Sequence, residues 1–241
     1  MTSHDRRVIV VTACTGQKAD SSASLLRTRD FARGATHIEK HHRRMPDALR
    51  RAENLYRGQQ HVRLMRGVEA ARAAGWEVQV SIVSAGYGVV SGDKLIAPYE
   101  CTFKGMSAVE RRAWGNRLGL REAVQAALAT PAELSVVLLG DDYLDACAFG
   151  EDLTLGSPAL VFCGAGAALR LPPVEGLRCI ALHRHDTKRF SCGLVGLKGE
   201  IARRLLTRLA AEPHRVARLL KGNLLSDMAA GQLRPVAEAA F

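Results

Sequence analysis

The chain has 241 residues, is 47% hydrophobic and 24% charged, and carries a formal charge of +10 with a pI near 9.7. That length and apolar content suffice for one large packed domain, while no apolar run approaches the roughly 20 residues of a membrane span, so no membrane-spanning helix is expected. The surplus of Lys and Arg favours a polyanionic partner, nucleic acid first.

The first strand is predicted over residues 7–13, a continuous β-branched run of the kind buried on both sheet faces. Met1 to Arg6 lead into it without a signal-peptide apolar region, so a cytoplasmic location is expected. The strand ends in Cys14-Thr-Gly-Gln-Lys18. Residues 20–50 are polar, basic and weakly periodic, and read as a loop or as a helix that orders on binding. A helix is predicted from about Asp47 to Ala74, with Gly75 as its stop. Strand two covers 77–83 and runs into Ser84-Ala-Gly-Tyr87-Gly88 and on to Pro98-Tyr99-Glu100. A buried run that stops in small, then aromatic and ionisable residues marks a pocket, because ligands in open α/β sheets bind beyond the carboxyl ends of the strands. Ser107-Ala-Val-Glu110 has the spacing of a capping box and opens a helix to about Ala129. Strand three (134–139) closes in Gly140-Asp141-Asp142-Tyr143, strand four (159–163) in Gly164-Ala-Gly166, and a further strand covers 177–182. Helices are predicted from about Val195 to Ala211 and again after Pro213.

This alternation predicts a three-layer αβα architecture with a mostly parallel central sheet. The organisation expected is an α/β core over 1–190 with a basic insertion at about 20–50, and a C-terminal helical extension of the same domain over 191–241. The six cysteines (14, 101, 147, 163, 179 and 192) show no C-x-x-C pair or zinc-type spacing, so reduced thiols and no metal site are expected.

In a parallel sheet the strand ends open on one edge, so Cys14, Gln17 and Lys18 should converge with Ser84, Tyr87, Tyr99 and Glu100 and with Asp141, Asp142 and Tyr143. Cys14 is either a nucleophile activated by Lys18 or a packing residue at the end of a buried strand. Gly164-x-Gly166 has two of the three glycines of a dinucleotide fingerprint and no acidic residue after the next strand, so it reads as a tight turn, with no cofactor. Of Asp141 and Asp142, one should face the pocket and one outwards, and one of them is a helix N-cap candidate. Glu100, kept extended by Pro98, either activates water and stabilises charge at a breaking glycosidic bond or sits in a surface salt bridge. Tyr87 and Tyr99 are stacking platforms or core aromatics. Two basic groups, Arg43, Arg44, Arg57, His61 and Arg63 in the first and Arg184, Lys188 and Arg189 in the second, are the expected phosphate contacts.

Cys14-Thr-Gly-Gln-Lys18, Leu55-Tyr56, Ser84-Ala-Gly-Tyr87-Gly88, Ile96-Ala-Pro98-Tyr99-Glu100, Glu110-Arg-Arg-Ala-Trp114 and Leu139-Gly140-x-x-Tyr143 resemble, in the same order, a group of bacterial and phage domains. These are related to the peroxide-stress DNA-binding proteins and to the non-catalytic-barrel domain of archaeosine-type tRNA-modifying enzymes. The resemblance covers roughly residues 7–145 and implies a core like that of uracil-DNA glycosylases. One branch to which the chain is similar comprises antiphage DNA glycosylases that remove glucosylated hydroxymethylcytosine. By this analogy Gln17, Lys18, Ser84, Tyr87 and Tyr99 line a base or sugar pocket, and Glu100 or Asp141 handles the water. The family more often has Asp at the position of Glu100, and the first loop lacks the Gln-Asp-Pro-Tyr motif of uracil-DNA glycosylases proper. The expected function is a metal-independent, cofactor-free DNA glycosylase that flips a modified nucleotide, with DNA as its partner and no membrane or obligate protein partner. The alternatives are a non-catalytic DNA-binding stress protein and an enzyme that transfers a base or sugar on tRNA, for which RNA preference is expected.

Overall fold

Val8 to Val11 are wholly buried, and a strand apolar on both faces belongs at the centre of a sheet; β1 (Arg7–Ala13) lies between two parallel neighbours. The computed structural model describes residues 6–19, 25–149, 152–212, 220 and 222–230. After β1 come β2 (Leu26–Arg27), α1 (Thr28–Phe31), α2 (Ala35–Arg44), a 3-10 turn (Pro46–Ala48), β3 (Arg50–Arg51), α3 (Ala52–Leu55) and α4 (Gln59–Ala73). β4 (Glu77–Ser84), β5 (Gly88–Ser91), β6 (Leu95–Ile96) and β7 (Tyr99–Glu100) follow, then α5 (Ala108–Arg117), α6 (Leu120–Leu128), β8 (Leu134–Leu138) and α7 (Asp141–Ala146). The chain continues through β9 (Ala159–Gly164), α8 (Ala165–Arg170), β10 (Leu177–Leu182), α9 (Asp186–Arg189), α10 (Leu194–Ala211) and α11 (Leu224–Ala230).

The fold is mixed α/β, with a six-stranded sheet in the order β10-β9-β8-β1-β4-β5, parallel except for the edge strand β5. β2 pairs with β7 and β3 with β6 outside it. The chain leaves β1 towards β4, whereas β8 leads away through β9 to β10. Neighbouring strands whose connections depart in opposite directions leave a crevice at their carboxyl ends, and here that point is β1/β8. α4 and α10 pack side by side, and α6 packs on β1, β4 and β5, an arrangement compatible with the expected three layers. The α4–α10 approach depends on glycines: a Cβ on Gly67 would lie 2.7 Å from the Arg203 Cα, and one on Gly199 would collide with the Gln60 carbonyl. Among the described residues no helix is long and apolar enough to cross a membrane.

The structure departs from the sequence-based expectation at three places. The helix expected over 47–74 is broken, because residues 55–57 are recruited as backbone partners for the loop after β1: Ala19 N–H donates to the Leu55 carbonyl (2.7 Å) and Arg57 N–H to that of Gln17 (2.9 Å). The basic insertion, for which loop and helix were both open, carries the helices α1 and α2, with residues 20–24 outside the described set. The capping box forms, with Ser107 N–H donating to Glu110 at 2.7 Å, but the helix it opens is cut by Gly119 at φ 62° into α5 and α6. Finally, Ser84 closes a hairpin onto β5, an antiparallel strand that the sequence pattern does not predict. Residues 213–219, where a last helix was expected to begin, lie outside the described set.

Candidate functional site

The crevice at β1/β8 is a cleft of about 580 Å3. Its walls are Cys14 to Gln17 after β1, Gly140 and Tyr143 after β8, Gln59 and Gln60 from α4, and Val195 and Lys198 from α10. Gln60 holds the two strand ends in register, its amide donating to Thr12 Oγ1 (3.2 Å) on β1 and to the Leu138 carbonyl (3.0 Å) on β8. Gly58 sits at the N-cap of α4, where its N–H donates to Thr15 Oγ1 at 3.1 Å and any side chain would collide with Thr15. α4 and α10 both start on glycine N-caps, Gly58 and Gly193, without a side-chain cap, so the positive ends of two long helix dipoles reach this edge. Lys198 Nζ donates to the Leu139 carbonyl at 2.6 Å; burial pushes its pKa below the ordinary lysine value, against the raising influence of Cys163 and Asp141.

Behind the cleft lies a buried polar cluster. Cys14 Sγ is 3.0 Å from the Tyr143 hydroxyl. Ser84 Oγ donates to the Tyr99 hydroxyl (2.7 Å), which lies 2.9 Å from that of Tyr56, and Ser84 Oγ also accepts the N–H groups of Gly86 and Tyr87. Lys18 Nζ stands 4.3 Å from the centre of the Tyr99 ring and donates to the carbonyls of Thr15 and Gly16. Burial raises the Tyr56, Tyr99 and Tyr143 hydroxyls well above the usual tyrosine range and lowers Lys18, the latter opposed by Cys14 and Glu100. The sequence places Ser84 and Tyr99 in the same pocket as Cys14. In the structure Ser84 is wholly buried and Tyr99 is 1% exposed, because the hairpin to β5 folds the 95–100 segment back beneath the turn. Tyr87 faces a different hollow, of about 430 Å3, between α2 and the hairpin, where its hydroxyl meets His42 Nε2 at 2.9 Å and accepts the Ala97 N–H.

The carboxylates separate. Gly140 is the N-cap of α7, so neither aspartate has that role, and both sit in the first turn, where they complement the helix dipole. Asp142 pairs with Arg111 at 3.1 Å, and Arg111 also holds Asp145, which ties α7 to α5 rather than lining a pocket. Asp141 follows the cleft residue Gly140 but is not itself in the cleft wall: it is half-exposed, 3.4 Å from Arg170 on α8 and beside Gly164, and within electrostatic reach of Lys198. Glu100 is exposed on β7, opposite Arg27 in register, and its influence on the site runs through Lys18.

The family of unknown function DUF6884 matches residues 35–155, half of the chain. The chain belongs to that family. No curated protein matches it. The DUF6884 match runs from α2 to beyond α7, and so contains Asp141 and the buried cluster of Ser84, Tyr99 and Tyr56, while Cys14 and Lys198 lie outside it.

The basic residues of this DUF6884 chain divide by burial. Arg43 and Arg44 on α2, Arg57, and Arg184, Lys188 and Arg189 are exposed. The last three follow β10 and therefore lie on the same sheet edge as the cleft. Of the first set, His61 is internal and Arg63 is partly buried. His61 is 1% exposed, donates Nε2–H to the Glu53 carbonyl at 2.8 Å, and has its pKa lowered by burial. Arg63, Arg203 and Arg204 all donate to Glu200, at 2.9, 2.6 and 2.9 Å. Burial alone would raise the Glu200 carboxyl; the three guanidiniums outweigh it and hold the pKa at about 2. All six cysteines are free, and among the described residues no group of three or more His, Cys, Asp or Glu is placed to hold a metal ion.

Sequence reasoning missed Gln60 and Lys198, and it did not place Tyr56 in the site. The Gly58-Gln-Gln60 start of the helix that follows the first strand was a usable signal for Gln60. Lys198 had none, since it reads as one more lysine in an amphipathic helix.

Proposed function

We propose that this chain is a DNA glycosylase with a uracil-DNA-glycosylase-like core, which flips a modified nucleotide into the β1/β8 cleft and hydrolyses its N-glycosidic bond. The observation that carries the reading is the cleft: about 580 Å3 at the topological switch of the sheet, between two uncapped helix amino ends, with Asp141 directly following its wall residue Gly140. That volume falls within the roughly 300–1,000 Å3 of small-ligand sites. Phosphates flanking the flipped nucleotide would meet the positive ends of α4 and α10 and the exposed Arg184, Lys188 and Arg189. Positive charge grows at C1′ as the bond breaks, and Asp141, which follows the wall residue Gly140, is the carboxylate assigned to stabilise it and to orient the attacking water. Glu100, across the Lys18 loop, acts on the site only at a distance. The substrate to test first is glucosylated hydroxymethylcytosine in phage DNA, whose added sugar would fill width that a plain cytosine leaves open, and the role is antiviral defence in the cytoplasm.

The test incubates the protein with unmodified, uracil-containing and glucosylated-hydroxymethylcytosine duplexes, followed by alkali cleavage and mass analysis of the released base. Base release from the glucosylated duplex is expected. Asp141→Asn should reduce its rate by about 100-fold or more while sparing DNA affinity, and Glu100→Gln should have the smaller effect. A second reading, DNA binding without chemistry, is favoured by the Asp141–Arg170 ion pair, which gives that carboxylate an ordinary structural partner. It predicts no abasic site on any substrate and the same behaviour from Asp141→Asn as from the parent protein.

A further inference from the structure

Hydrolysis of a glycosidic bond uses water, yet the cleft also presents an amine. Lys198 rises from the second turn of α10 into the cleft wall beside Gly140 and Tyr143. Its single hydrogen bond among the described residues is to the Leu139 carbonyl, and it forms no ion pair there. Arg203 and Arg204 on the same helix share the Glu200 carboxylate, whereas Lys198 has no carboxylate within ion-pair distance among the described residues. An ammonium that loses hydration without gaining a direct ion-pair partner has its neutral form favoured where burial outweighs more distant negative charge, the condition for a nucleophilic lysine. Asp141, next in the chain to the wall residue Gly140 and paired with Arg170, is near enough to act electrostatically on Nζ. Lys18 is placed differently: its Nζ is folded over Tyr99, shared between two loop carbonyls and absent from the cleft wall.

We propose that Lys198 is a nucleophile towards abasic deoxyribose and gives the protein a DNA strand-cleaving lyase activity; this rests on the part of the reading above that brings DNA into the cleft. The neutral amine adds to the C1′ aldehyde of the ring-opened sugar, and loss of water leaves a protonated imine between Nζ and C1′. Asp141 takes a proton from C2′, and the electron pair of that C–H bond forms an enamine. The enamine expels the 3′-oxygen, so that the C3′–O bond breaks and the 3′-phosphate departs with its electron pair, and the proton passes from Asp141 to solvent. Water then hydrolyses the conjugated imine, freeing the unsaturated aldehyde and restoring the amine. Water is the only co-reactant, and no electrons are gained or lost overall.

The experiment uses the full chain, a duplex carrying one preformed abasic site, and sodium borohydride, which reduces an imine to a stable amine. A covalent protein–DNA adduct on a denaturing gel is expected, with peptide mass mapping that places the DNA remnant on Lys198. Lys198→Arg, which keeps a donor for the Leu139 carbonyl, should lose the adduct; mapping on the parent protein answers the question even if that variant folds poorly. Absence of an adduct, an adduct spread over several lysines or on the chain amino terminus, or one that survives Lys198→Arg and vanishes in Lys18→Arg, overturns the proposal. Base release is scored separately on intact modified DNA. An adduct without base release leaves the lyase standing and removes the glycosylase, and base release without an adduct does the reverse.

Discussion

The two sides of β1 carry similar residue types and do opposite things with them. On the β4 side, Ser84, Tyr56 and Tyr99 satisfy one another's hydroxyls and are sealed from solvent. On the β8 side, Cys14 and Tyr143 also pair, but in the wall of an open cleft. Connectivity makes the difference. β4 returns immediately through a hairpin, and the 95–100 segment is folded back over the strand end, whereas β8 turns into α7 and moves off towards β9, leaving its boundary with β1 uncovered. Polar side chains at a strand end are therefore a core when the chain comes back over them and a site when it departs. Buried hydroxyls must find partners in either case.

This contrast can be broken most forcefully at Tyr99. Tyr99→Ala removes a fully buried ring packed against Phe31, Tyr56 and Tyr87, takes away the acceptor of the Ser84 O–H and removes the Tyr99 partner of the Tyr56 hydroxyl. A loss of about 3–5 kcal/mol in urea unfolding is expected; a loss below about 1 kcal/mol would mean that this side is not core. On the cleft side the larger structural liability is Glu200, which locks α10 to α4 through Arg63. Glu200→Gln should cost about 3 kcal/mol, since it strips the counter-charge from clustered guanidiniums. The pH dependence has a definite sign. With the folded pKa held at about 2, below the ordinary 4.5, the stabilisation is complete above 4.5 and is lost as pH falls towards 2. Unfolding of the parent protein followed from pH 6 down to 2 should show this acid limb, flattened in Glu200→Gln. Next in size is the rim: replacing Arg184, Lys188 and Arg189 together by Ala should lower the slope of log affinity against log salt by about 0.9 for each phosphate left without its cation, with unfolding unchanged. The smallest effect sharpens the comparison. Tyr143→Phe, which deletes the hydroxyl facing Cys14, should cost only about 1 kcal/mol, far less than the change at Tyr99, because the ring stays packed on Phe103.

The local signals in the chain determined much of the fold. β1, β4, β8, β9 and β10 stand where continuous apolar runs predicted them, and the Ser107/Glu110 capping box forms as its spacing required, because strand propensity and capping are free energies of neighbouring residues. Chain order along a parallel sheet likewise brought Cys14 and Tyr143, 129 residues apart, to one edge. Only the tertiary structure decided what distant segments impose on one another. Residues 55–57 gave up a helix to pair with the loop after β1, His61 and Arg63 turned from apparent surface charge into internal contacts, and Lys198 entered the cleft from a helix in the last fifth of the chain. Sequence sets what a side chain is able to do, but whether it meets solvent, a ligand or another side chain depends on which later segment covers it, and that choice is made by packing across the whole sheet.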